Sequence, residues 1–307
     1  MGEWLAVLSM TFFASSNVAI GRAVERGSQD NGAFLSILIT STMAFAAWIY
    51  LTWGNALPRV DAPALAWFAG AGVLTMFIGR VFVFASVQHL GAVRASAVKR
   101  LNPVFSVLLG VLVLGEPMDA ALIAGMLLIF SSFCVLVKQS LQTSRQSSGV
   151  VIDSSGREYL GTWVNVGYVY GPVSALAYAV GYVARKQGLM LLPDPTLGTL
   201  IGAVVGSLVF MLAGAFLGSY RQAIRNTFTS FDPWIVAAGV LSSLGQIFFF
   251  AAISYSTVSR VALITSMETF VTILLSVTLF RSKDGLTAPV LCAAGLGALG
   301  TAFIMWQ

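Results

Sequence analysis

Four ionisable side chains interrupt apolar stretches of this 307-residue chain: Arg80, Lys99, Arg100 and Glu268. Insertion scales put such a group in hydrocarbon at a cost of about 2.5–3.5 kcal/mol, so each is expected to face a cavity or a partner. Guanidinium groups hold carboxylate or phosphate through paired N–H donors, a geometry suited to a planar anion. Three cations against one carboxylate leave a surplus of positive charge, which is unfavourable in a low-dielectric site. Either the cavity is wet, or the solute brings negative charge. The reading adopted is a solute bearing a carboxylate or phosphate, held by Arg80 and Arg100. Glu268 then holds an ammonium group, or takes up and releases a proton coupled to transport. The competing reading is a structural ion pair between Glu268 and one cation, with the other cations snorkelling to the interface.

Lys99 and Arg100 are neighbours and point about 100° apart on a helix. Arg100 is favoured for the cavity because it shares a face with Ser96, one turn earlier. Asn17 and Gln246 either line the same cavity or serve as buried amides bonded across helices. Thr265, Ser266, Thr269 and Thr272 surround Glu268 at helical spacings. Tyr178 and Tyr182, at i and i+4, form either an aromatic wall or ordinary packing. His89, the only histidine, falls at a span end and reads as a satisfied interfacial residue.

The elements that position these residues follow from composition. Apolar residues make up 57% of the chain and charged residues 9%, with a mean hydropathy of +0.86. A soluble globule of this size needs more charge on its outside. A cytosolic enzyme, a disordered chain and a nucleic-acid binder are thereby excluded. The two cysteines, Cys134 and Cys292, sit in apolar runs and imply no disulfide framework.

A helix needs about 20 mainly apolar residues to cross a bilayer. Such runs are Trp4–Gly21, Ala33–Trp53, Ala64–Val87, Ala92–Leu114, Ala120–Val137, Trp163–Ala184, Thr196–Leu217, Trp234–Tyr255, Val258–Leu279 and Leu286–Trp306. The expected fold is therefore an all-α integral membrane protein with ten transmembrane helices in the lipid bilayer. The first run carries Asn17 and lacks a basic leader, so it reads as a span and not as a cleaved signal.

Shifting the chain against itself by 166 residues aligns Gly79 with Gly245, Phe82 with Phe248, Arg94 with Arg260 and Leu108–Leu109 with Leu274–Leu275. Under this alignment Arg80 meets Gln246, Lys99 meets Thr265, Arg100 meets Ser266 and Asn102 meets Glu268. The expected organisation is a first five-helix repeat at 1–137, a polar linker at 138–161 and a second five-helix repeat at 162–307. An odd number of spans per repeat inverts the second copy. Inverted repeats place a substrate site near the midplane, where the halves meet.

Basic residues in odd-numbered connections outnumber those in even ones. Arg59, Arg185, Lys186 and Arg260 are the even set. The positive-inside rule then puts both termini outside. Gly198, Gly202 and Gly206 form a double G-x-x-x-G face, read as packing within the monomer, with a homodimer seam as the alternative. Pro103 and Pro172 fall inside spans and free carbonyls there.

The segment IGRVFVFASVQHLGAVRASAVKRLNPVFSVLLGVLVLGEP, Ile78 to Pro117, resembles the EamA-type branch of the drug/metabolite transporter superfamily. The likeness rests on Gly91-Ala92-Val93-Arg94-Ala95, then Pro103-Val104-Phe105, then Leu114-Gly115-Glu116. SSNVAIGRAV, Ser15 to Val24, is similar to the family's first-span pattern. The second half departs from it, with Thr269 at the expected Pro and Ser282 at the expected terminal Glu. The resemblance implies alternating-access transport of a small-molecule metabolite, often export, across a bacterial inner (plasma) membrane. An importer or exchanger of an organic anion is the alternative, and a channel the lesser one. No cofactor, metal or nucleic acid is expected. The spans hold no Asp and no deeply placed His, so no catalytic constellation is present and no enzyme activity is expected. A Walker A sequence is also missing, which leaves coupling to a proton, to exchange or to the solute's own gradient.

Overall fold

Long apolar runs leave backbone N–H and C=O groups no outside partner in lipid, and this chain satisfies them within helices. The structure is a computed structural model and describes residues 1–26, 32–54, 58, 60–83, 101–147, 162–229, 232–280 and 288–306. Every regular element among the described residues is helical. The helices are α1 (Gly2–Glu25), α2 (Ala33–Thr52), α3 (Ala62–Gly72, running into a π-helical segment Val73–Gly79), α4 (Leu101–Leu114) and α5 (Ala120–Ser147). They continue with α6 (Thr162–Leu191), α7 (Pro195–Phe216), α8 (Gly218–Thr229), α9 (Pro233–Tyr255), α10 (Val258–Thr265), α11 (Glu268–Phe280) and α12 (Ala288–Met305).

Seven stretches among the described residues are long and apolar enough to cross a membrane. They are Gly2–Ala23, Ala33–Thr52, Ala62–Val83, Pro195–Phe216, Pro233–Tyr255, Val258–Thr278 and Ala288–Met305. Leu101–Leu114 and Ala120–Ser132 are shorter apolar helices. The chain is thus an all-helical, multi-pass membrane protein.

Two helix starts are written in the sequence as Asp-Pro. Asp194 accepts from the Thr196 and Leu197 amides, and Asp232 accepts from the Trp234 amide. Each proline follows at the first helical position, where its missing N–H has no intrahelical role to lose.

Helices before residue 148 pack mainly on helices after residue 161. α1 lies on α9, α2 lies against α7 and α9, α3 lies against α6 and α7, α4 lies against α6 and α10, and α5 lies on α12. The α3–α7 contact is close because both sides lack side chains: a Cβ at Gly72 would fall on the Gly202 carbonyl. Gly198 packs on Phe68 and Phe250, and Gly206 packs on Met76. The G-x-x-x-G face is therefore used inside the chain, and these three glycines are buried.

Four local features depart from the expected spans. The sixth run, expected to end at Ala184, continues as α6 to Leu191 and carries Arg185 inward. The ninth run is not one helix but two, with a break at Ser266 and Met267. The connection after Leu217 folds as the amphipathic α8. α5 extends past Val137 through Ser147, and the rest of the expected linker, 148–161, lies outside the described residues.

Candidate functional site

Arg80 follows the π-helical segment of α3 and is 4% exposed. Its Nη1 donates to Ser36 Oγ of α2 at 2.7 Å. Tyr178 of α6 stands beside it, with its ring against the bare face of Gly79. The glycine lets the aromatic ring approach the backbone just before the arginine.

Arg185 of α6 is the largest fully buried side chain among the described residues, at 1% exposure. Nη1 donates to Gln246 Oε1 of α9 at 3.0 Å, and Nη2 donates to Thr75 Oγ1 of the π-helical segment at 2.8 Å. The guanidinium carbon lies 4.8 Å from the centre of the Phe250 ring and 6.0 Å from that of Tyr182. Such faces attract a desolvated cation. Nε has no hydrogen-bond partner among the described residues. Every acceptor on Arg185 is neutral, as is the acceptor on Arg80, and neither pairs with a carboxylate among the described residues.

Aromatic rings and short polar groups continue from the two arginines. Tyr178 and Tyr182 rings are 6.0 Å apart, and Tyr182 lies 4.3 Å from Phe249. Tyr182 reaches Asn102 on α4, whose Oδ1 accepts from Ser106 at 2.9 Å. Glu268 is half-buried, in the first turn of α11 and within electrostatic reach of Tyr182. The break before α11 creates that first turn, where the positive end of a helix dipole favours a carboxylate.

The structure therefore brings together Arg80, Gln246, Glu268, Tyr178 and Tyr182 from the expected set. Gln246 does not sit alone but holds Arg185. Asn17 is half-buried on α1. Lys99 and Arg100, like His89 and Arg94, lie outside the described residues. Arg185 corrects the expectation that it belongs to an even-numbered connection. It sits within the helical core and leaves the orientation count. Its signal was available as helical spacing, because Tyr178, Tyr182 and Arg185 follow i, i+4, i+7 on one face.

A second polar cluster lies at one end of the bundle. Glu116, the acid of the Leu-Gly-Glu sequence, is buried. It accepts from the Val258 amide at 2.6 Å, the Ser259 amide at 3.0 Å and Ser259 Oγ at 2.5 Å, which caps α10. Lys186 Nζ donates to the Ile253 and Ser256 carbonyls at 2.8 and 3.0 Å, at the end of α9. Asp119 pairs with Arg260. The Leu122 amide, then the Arg260 guanidinium, hold the Asp119 carboxyl below its usual value. Ser256 Oγ donates to Glu3 at 2.9 Å, tying the start of α1 to the same end.

No curated protein matches the sequence. A solved structure described as "Crystal structure of protein" has a TM-score of 0.66 and 18% identity over 99% of this chain and 95% of that one, a likeness of fold. The profile described as "EamA-like transporter family" matches residues 1–138 and again 165–306. The helical membrane architecture of the described residues agrees with that two-part match, and the chain belongs to the EamA-like transporter family.

Proposed function

We propose that the protein is a secondary active transporter for a small polar solute bearing a carboxylate or phosphate. The observation that carries this reading is the pair of buried guanidinium groups, Arg80 and Arg185, each bonded only to neutral acceptors among the described residues. A buried cation without a counter-charge is destabilised by desolvation. An anionic solute would supply that counter-charge when it binds. Arg185 Nε is the donor left for it. Gln246 and Thr75 fix the guanidinium plane, and the Tyr178–Tyr182–Phe249 rings wall the site.

Alternating access between two inverted five-helix repeats, ten spans in all, is the mechanism proposed. The reciprocal packing supports it: α1 on α9 is matched by α3 on α6, and α5 on α12 pairs the last span of each half. The halves are taken as 1–137 and 162–307, joined by 138–161. Glu268 is assigned the solute's ammonium group or a coupled proton, and Lys99, Arg100 and Asn17 remain assigned to the cavity lining. The plasma membrane is the proposed location and export the proposed direction, as the family resemblance implies.

The test is counterflow into liposomes holding the purified chain, with labelled amino acids and organic anions tried in both directions. Saturable, competed exchange supports the reading. Non-saturating conductance would replace it with a channel.

A further inference from the structure

We infer that α8 is a docking face for an anionic phospholipid, whose phosphate meets Arg225 and whose acyl chain covers Phe228. α8 connects the ends of two apolar spans, α7 and α9, on one membrane face. At 12 residues it is about 18 Å long. Its inner side is apolar: Tyr220, Ala223 and Ile224 pack on the cluster of Phe34, Met76 and Phe210. Its outer side is polar, with Gln222 donating to Asn226 at 2.8 Å. A helix with this pattern between two spans lies in the interface, half in headgroups.

The charge on this helix has one sign. Pro195 to Phe231 contains Arg221 and Arg225 and no acidic residue. Arg221 is occupied at the end of α7, where Nε and Nη2 donate to the Gly214 and Ala215 carbonyls at 3.2 and 2.7 Å. Arg225 is exposed. Phe228 follows it by three residues, on the same flank of the helix, and is 74% exposed. An exposed ring one turn from an exposed cation matches the boundary between acyl chains and phosphate. Arg26 adds positive charge at this end, over the Trp234 ring at 5.6 Å. A zwitterionic lipid has no net charge to be attracted, whereas an anionic one has.

Lipid held here also bears on the interior. Tyr220 lies 5.8 Å from Phe77, in the π-helical segment that carries Thr75 and leads to Arg80. The docking site itself does not depend on which solute is carried.

The experiment is native mass spectrometry of the full chain in detergent, titrated with phosphatidylglycerol against phosphatidylcholine. The wild type is expected to retain phosphatidylglycerol preferentially. Arg225→Gln should weaken that retention about fivefold, the size of one interfacial cation's contribution, and Arg225→Lys should keep it. Phe228→Ser should weaken both lipids alike while leaving the preference. Equal phosphatidylglycerol retention by wild type and Arg225→Gln overturns the proposal. Displacement of the lipid by inorganic phosphate overturns it too, by assigning the site to a soluble anion. Arg225 is on the polar outer side, so its variants are expected to fold, and unchanged melting in neutral detergent verifies this.

Discussion

Glu116 and Lys186 grip opposite sides of one chain reversal. The carboxylate takes the amides that open α10, and the ammonium takes the carbonyls that close α9. Each charge meets the end of the helix dipole that favours it. Glu116→Ala is expected to lower stability by about 2 kcal/mol, since it removes a cap and a charge-assisted set of bonds. Glu116→Gln keeps the shape but sets an amide donor against one of the donors at Val258 and Ser259. It should fall between the wild type and Glu116→Ala in denaturant unfolding in detergent. Equal midpoints for all three proteins would refute the capping role.

Arg185 offers a test of the site. Arg185→Lys retains the charge but loses the planar fork that reaches Gln246 and Thr75 together. Solute exchange is expected to fall about tenfold or more, the size of one lost charge-assisted bond. Arg185→Gln should fall further. Folded yield and melting, measured alongside, separate transport loss from misfolding, and full exchange by Arg185→Lys would contradict the assignment.

The helix crossing at Gly72 and Gly202 is asymmetric. A methyl at Gly72 meets the Gly202 backbone, whereas a methyl at Gly202 has its nearest neighbour, Gly72 Cα, at 3.4 Å, an ordinary contact. Gly72→Ala should therefore destabilise by about 1–3 kcal/mol through overpacking. Gly202→Ala should be near neutral, because Ala also favours the helix. Thermal unfolding of the two variants side by side distinguishes them, and equal effects would count against this close approach.

Asp119 sets a pH dependence. Its carboxyl is held below its ordinary value, first by the Leu122 amide and then by Arg260. The unfolded chain thus binds the proton more readily than the folded one. The stabilisation is full above that ordinary value and is lost as pH falls through the lower folded value. Asp119→Asn should lower the neutral-pH plateau of a stability profile measured by unfolding in detergent and converge with the wild type at acid pH, which flattens the acid limb. The pair is partly exposed, so added salt should shrink the effect.

Glu268 carries the coupling prediction. Glu268→Gln is expected to stop accumulation driven by a pH gradient while solute-for-solute exchange continues. Gradient-driven uptake identical to wild type would remove the proton role and leave the ammonium contact.

Much of the fold was legible because hydrocarbon imposes a local rule. A continuous apolar run must satisfy its own backbone, so α2, α7 and α9 fall within a few residues of their expected bounds. The same rule misleads at Arg185. A cation at the edge of an apolar run reads as the end of a span, and only acceptors 61 and 110 residues away in sequence make its burial tolerable. Gln246 was legible as a buried amide, but not as the partner of that arginine. The break before Glu268 was hidden because Ser266 and Met267 do not interrupt hydropathy; Ser266 closes its turn by donating to the Leu263 carbonyl at 2.5 Å.

By itself the sequence determined the solvent of this protein and its helical class, since these depend on residue type and run length. Tertiary structure alone decided which cations meet, at Thr75, Ser36 and Gln246, and which carboxylate caps a helix from another part of the chain. The reason is that pairing energy depends on distance and desolvation between residues far apart in the chain, and neither quantity is set by local spacing.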